Sequence, residues 1–143
     1  MPTVGVFAAI FDEQRRLLCV KQNYGACHWT NPGGAMEAGE SPSVALEREV
    51  CEESGYLVQT GHLIGVYAKP VRDDIVLFFT AHILGREAWQ PDNEITEVGF
   101  FAQDQLPVPM SEPSRIRIQD AFDGRTGVYR VFQDMNSTLN ESA

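Results

Sequence analysis

A chain of 143 residues with 43% hydrophobic content is long enough to bury one core and too short for two typical domains. Its 20 acidic against 11 basic residues give a formal charge of -9, which repels phosphate backbones and anionic lipid and argues against long nucleic acid or a membrane as partner. The three cysteines, Cys19, Cys27 and Cys51, have neither zinc-site spacing nor the density of a disulfide scaffold, and they read as free thiols of a cytoplasmic protein.

The apolar run "TVGVFAAIF" has no basic residue before it and meets Asp12 and Glu13 directly after it, so it reads as a buried strand rather than a signal-peptide core. No stretch reaches the roughly 18 apolar residues of a membrane span. Residues 3–11 and 17–22, joined by the polar turn "DEQRR", predict a hairpin. In "HWTNPGG" the proline pushes Asn31 toward extended geometry, and the glycines then break regular structure. Ser41 followed by Pro42 marks a helix start, since the serine can cap free N–H groups and proline at the first position loses no hydrogen bond. The helix is expected to run to Ser54 with Gly55 as its left-handed stop. Two more strands, residues 56–68 and 74–84, flank the breaker "KPVRDD", and "EVGFFA" makes another after a polar loop. In "SEPSRIRIQDAF" the residues Ile116, Ile118, Ala121 and Phe122 recur at helical spacing. Residues 133–143 are polar and aromatic-poor, which predicts a flexible tail on a single domain spanning 1–143.

Residues 33 to 56 carry six glutamates and one basic residue, Arg48. On a helical wheel Glu49, Glu52 and Glu53 fall at i, i+3 and i+4, so three like charges share one face and repel. A purely structural helix would interleave lysines there, and an acidic face alone is more often solvated surface. Leu46 and Val50 occupy the adjoining arc, which lets the helix bury an apolar stripe while its glutamates line a cleft. Such carboxylates suit a hard divalent cation, and Mg²⁺ in particular is commonly shared between a few carboxylates, waters and substrate phosphates.

The spacing of the surrounding residues favours that reading. Gly34, five residues, Glu40, seven residues, Arg48-Glu49-Val50, one residue, Glu52-Glu53, one residue and Gly55 resembles the signature of the Nudix hydrolases, Gx5Ex7REUxEExGU with U aliphatic. Tyr56 stands at the last aliphatic position, the sole departure, and it leaves the polar positions intact. Seven fixed positions at set distances are far more specific than an ordinary short motif. The resemblance covers about residues 3–124 and implies an α/β/α sandwich around a mixed β-sheet. It implies an enzyme that binds Mg²⁺ or Mn²⁺ and hydrolyses the pyrophosphate of a nucleoside diphosphate linked to another moiety. Carried over by position, Glu49, Glu52 and Glu53 resemble the metal ligands, helped by the carbonyl of Gly33, while Arg48 and Glu40 resemble the pair that braces the loop against the helix. In that family the counterpart of Glu53 serves sometimes as ligand and sometimes as proton acceptor, and other members take the acceptor from the loop before the last strand, where this chain offers Glu94 and Glu97, of which Glu97, beside "VGFF", is preferred.

A pyrophosphate can approach a chain of charge -9 only through cations that neutralise it, so the carboxylates recruit the metal that recruits the substrate. Outside the motif, Lys21, Lys69 and Arg72 are candidates for phosphate contacts and Asn31 for a base edge. Trp29, Tyr67, Phe78 and Phe79 could stack on a base, but aromatics at strand spacing are more often core. The three histidines show no ligand spacing. The partner expected is a small nucleoside diphosphate derivative, and a homodimer is left open. A catalytically weak nucleotide-binding or regulatory module is the alternative, because fold alone does not establish activity; retention of the self-repelling triad argues for the enzyme.

Overall fold

A computed structural model describes residues 1–133 and 140–142. The two apolar N-terminal runs separate almost at once. Strand β1 (Thr3–Ala9) and strand β2 (Leu17–Gln22) meet only near the turn, where Phe11 bridges Leu17 and the Leu18 N–H donates to the Ile10 carbonyl. The sequence predicts a hairpin here; each strand instead enters a different sheet. The cause is two-sided burial. The first run sends Val6, Ala8 and Ile10 into one core and Phe7, Ala9 and Phe11 toward another, and an isolated two-stranded ribbon cannot cover both faces.

The larger sheet is mixed. Strand β1 pairs antiparallel with β4 (Gly33–Ala35) and parallel with β6 (Asp74–Arg86), which pairs antiparallel with the long β5 (Tyr56–Lys69). Next to β5 lies the parallel β8 (Val128–Val131), followed by the antiparallel β9 (Asn140–Ser142). The smaller, antiparallel sheet sets β2 between the short β3 (Trp29–Thr30) and β7 (Ile95–Phe101). The expectation of a flexible tail over 133–143 falls largely outside the described residues; of that stretch, Asn140–Ser142 form β9.

Helix α1 (Pro42–Ser54) begins and ends where the sequence predicts. The Ser41 hydroxyl accepts from the Val44 N–H, and Gly55, at φ 78°, turns the chain left-handed and returns its N–H to the Cys51 carbonyl. Its buried side, Ala45, Leu46 and Val50, packs with Val6, Ala8 and Ile10 on one face of the large sheet. Helix α2 (Glu112–Phe122) covers the opposite face, where Ile118 and Ala121 meet Tyr67, Phe78 and Phe132. Helices on both faces of a mixed sheet make the α/β/α sandwich. Trp29, Tyr67 and Phe78 are core residues, and Phe79 packs from the edge of the α1 core.

A buried polar cluster ties α2 to the sheet. Asp120 accepts from Arg130 Nε at 2.8 Å and Nη2 at 2.7 Å and from the Tyr67 hydroxyl at 2.8 Å. Burial, reinforced by the hydrogen bond to Asp120, holds the Tyr67 hydroxyl well above the usual phenol range. Removing one partner of a buried ion pair strands the other. Asp120→Asn is expected to lower unfolding free energy by about 3–5 kcal/mol, measured by urea denaturation. A loss under about 1 kcal/mol would mean that the cluster is not needed to hold α2.

Candidate active site

Helix α1 carries its acidic face to the edge of the larger sheet, above β4. Gly33 and Gly34 make that approach possible. A Cβ on Gly34 would lie 2.6 Å from the carboxyl carbon of Glu49, and one on Gly33 would strike the Val6 carbonyl and come within 2.7 Å of the Phe7 Cα. With no side chains between them, the Gly33 N–H donates to Glu53 Oε1 at 2.9 Å.

Arg48 is the hub of the site. Its Nε and Nη2 grip Glu40 bidentately at 2.7 and 2.9 Å, and Nη1 reaches Glu49 Oε1 at 3.0 Å and Glu52 Oε1 at 2.9 Å. Nη2 also donates to the Ala35 carbonyl at 3.3 Å. One guanidinium therefore holds the loop after β4 against the helix and separates two of the clustered carboxylates. The hydrogen bonds from Arg48 pull the half-buried Glu40 carboxyl down to about 2. Those same glutamates push the Arg48 guanidinium above its ordinary value.

Glu53 has no such partner. Burial, and then the charges of Glu49, Glu94 and Glu52, push its carboxyl up to about 8 against the opposing pull of the Gly33 N–H. Glu49 is also raised, by burial first, with Arg48 opposing. The loop before β7 brings Glu94 here: Asn23 N–H donates to the Glu94 carbonyl at 2.7 Å, and the Asp92 carboxylate accepts from the N–H groups of Glu94 and Ile95 at 2.8 Å. The end of α1 is closed by the loop after β6, where the Trp89 indole donates to the Glu52 carbonyl at 3.0 Å.

Among the described residues, no three carboxylate, imidazole or thiol groups converge as a ready-made metal cluster. Arg48 occupies the space between Glu49 and Glu52, and Glu53 turns to Gly33. The donor set nonetheless fits a hard divalent cation. It consists of carboxylate oxygens with backbone beside them, and Glu53 is partly buried amid like charge with no cationic side chain on it.

A family model for the NUDIX domain matches residues 1–122, and the chain belongs to that family. It is 31% identical over 142 residues to the "Putative 8-oxo-dGTP diphosphatase" of Bacillus subtilis (strain 168), covering 99% of this chain and 90% of that one. It is 33% identical over 112 residues to the ADP-ribose pyrophosphatase of Methanocaldococcus jannaschii, covering 74% and 65% of the two chains. Its fold superposes with a TM-score of 0.72 on the crystal structure of an ADP-ribose pyrophosphatase from Streptococcus suis 89-1591, at 28% identity, covering 92% of this chain and 98% of that one.

Of the residues singled out from the sequence, Gly33, Glu40, Arg48, Glu49, Glu52 and Glu53 come together in this one site. Glu97 does not join them. It lies across from Lys21 in the smaller sheet and pairs with it at 3.6 Å, so both are engaged with each other there, whereas Glu94 acts on the triad. Asn31 is wholly buried, with its Nδ2 on the Leu18 carbonyl at 3.5 Å, which keeps its amide from a ligand in this conformation. Lys69 and Arg72 line a cavity of about 460 Å³ together with Tyr24 and His28. The residue that sequence reading passed over is Arg117, buried in α2. Its signal was a cation on the apolar stripe, three residues after Ser114 and one before Ile118.

The raised Glu53 carboxyl has a consequence for stability. The unfolded carboxyl, at 4.5, gives up its proton first, while the folded one holds it to about 8. Its contribution is therefore complete below about pH 4.5 and is lost as pH rises through about 8. Urea midpoints of the metal-free protein should fall across that interval, and Glu53→Gln should remove most of the fall. An equal fall in the variant would locate the proton elsewhere.

Proposed function

We propose that the chain hydrolyses a pyrophosphate bond in a nucleoside diphosphate linked to another moiety, using a divalent cation held by Glu49, Glu52 and Glu53 with the carbonyl of Gly33. As a member of its family it is a Nudix-type pyrophosphohydrolase. The observation that carries the metal reading is the partly buried Glu53, surrounded by carboxylates and without a cation of its own. When bound, Mg²⁺ or Mn²⁺ neutralises phosphate oxygens and lowers the pKa of a coordinated water. Arg48 keeps the glutamates apart and the loop in place. Glu94, whose charge already reaches Glu49 and Glu53, is the loop carboxylate assigned to accept the proton of the attacking water. That water forms a bond to phosphorus as the bridging oxygen leaves.

The names of relatives favour 8-oxo-dGTP and ADP-ribose as first substrates to test. Free Cys19, Cys27 and Cys51 support a reducing, cytoplasmic setting, and among the described residues no helix is long and apolar enough to cross a membrane.

Millimolar Mg²⁺ should raise the melting temperature relative to EDTA, since a ligand at a hundredfold excess over its Kd adds about 2.7 kcal/mol. Glu53→Gln should cut kcat about 10²- to 10³-fold, the usual scale of an electrostatic contribution to the transition state. Parental turnover by Glu53→Gln, or an unchanged melt with Mg²⁺, would refute the metal reading. Cys51, whose thiol points to Glu87 at 3.7 Å, is outside this machinery. Steady-state assays should find Cys51→Ser within about twofold of the parent, and a hundredfold loss would place the catalytic face wrongly.

A further inference from the structure

The protein is acidic, yet the cavity beside the carboxylate site is cationic. A pocket of about 160 Å³ lies between β1, β6 and the first turns of α2, lined by Phe7, Lys69, Asp74, Ser111, Ser114 and Arg117 among others. Arg117 is 6% exposed. Its Nη2 donates to the Ser114 hydroxyl at 3.3 Å, and its guanidinium lies 5.2 Å from the centroid of the Phe7 ring. Among the described residues, its buried Nε has no hydrogen-bond partner and no carboxylate lies within ion-pair distance of the group. A buried cation is usually paired, so this arrangement has unmet donor capacity.

A second observation points the same way. Lys69 faces the same space, and its ammonium is held below its ordinary value by burial and then by the charges of Arg117 and Arg72. Asp74, the acid in the lining, accepts from the Thr3 hydroxyl at 2.8 Å, and its charge offsets part of the repulsion felt by both Arg117 and Lys69. Two cations are thus pressed together with one carboxylate between strands and helix. Ser111 caps the start of α2, accepting from the Ser114 N–H at 3.3 Å and donating to the Ser114 hydroxyl at 3.1 Å, so the pocket opens at a helix end where anions are favoured. Donors converging from several directions suit a tetrahedral phosphate, whereas a planar carboxylate needs only the guanidinium fork.

We propose that this pocket is a phosphate subsite, in which Arg117 and Lys69 hold a phosphomonoester carried by the substrate moiety beyond the scissile diphosphate. The placement is suitable, because Phe7, in the pocket wall, is the register partner of Gly33, whose N–H holds Glu53. The wider mouth of the cavity includes Tyr24, whose hydroxyl is raised by burial and by the charges of Glu53, Glu94 and Glu49. On this proposal one extended substrate runs from the carboxylates past Tyr24 into the pocket. The subsite rests on the reading of the α1 carboxylates as the hydrolytic centre, but its anion affinity can be measured apart from it.

The test has two arms. In metal-free full-length protein, inorganic phosphate should shift the amide resonances of Ser111 and Ser114 in a saturable titration, and Arg117→Met should weaken binding about 10- to 100-fold, as expected for a lost charged hydrogen bond. Lys69→Met, at a half-buried position, provides the same comparison if Arg117→Met fails to fold. In the second arm, Mg²⁺-loaded enzyme is offered NADPH against NADH and coenzyme A against its dephosphorylated form, pairs that differ by one phosphomonoester. The phosphorylated member should be favoured in kcat/KM, and Lys69→Met should bring that ratio toward one. No phosphate binding, or binding that neither variant weakens, overturns the subsite, as does equal hydrolysis of both members. If phosphate binds through Arg117 while none of the four compounds is cleaved, the subsite stands and the hydrolytic reading must be sought on other substrates.

Discussion

One guanidinium among glutamates governs this structure. Arg48 contacts Glu40, Glu49 and Glu52 at hydrogen-bond distance and reaches the Ala35 carbonyl as well, so the loop after β4, the helix start and the acidic face are fastened to one group. Like charges at i, i+3 and i+4 would otherwise oppose the helix that displays them. The surplus beyond Arg48 falls on Glu53. That carboxyl is relieved by a proton, and the proposed cation would compete for the same place, which would couple metal binding to pH.

The sheet supplies what the helix cannot. Strand β1 borders both cores, with Val6 and Ala8 turned toward α1 and Ala9 toward α2, and through Phe7 and Gly33 it links the acidic site to the cationic pocket. Two fields of opposite sign thereby lie on neighbouring parts of one strand pair. In a protein of charge -9, this cation is set back from the surface: Arg117 projects from α2 into the interior, sheltered by Phe7. With the divalent cation proposed for the α1 glutamates on one side and the fixed cations on the other, a polyphosphate would find a surface to lie on despite the overall repulsion.

Local chemistry in the sequence determined much of this. Ser41, Pro42 and Gly55 bound α1 through capping and backbone geometry, interactions that reach only a few residues along the chain. The spacing of Glu49, Glu52 and Glu53 put three carboxylates on one face because helical periodicity requires it. The pairing of strands depended instead on burial on both sides, so β1 and β2 parted into separate sheets although the turn between them looked like that of a hairpin. Position in the tertiary structure also decided which charges met. Glu94 rather than Glu97 approaches the triad because cross-strand register commits Glu97 to Lys21, and Asn31 is sealed in the core by strands distant in sequence. Arg117 showed in the sequence only as a cation on an apolar stripe. Its burial, its open Nε and its approach to Lys69 arise from α2 closing over β1, β5 and β6, since desolvation and charge depend on distance in space and not along the chain.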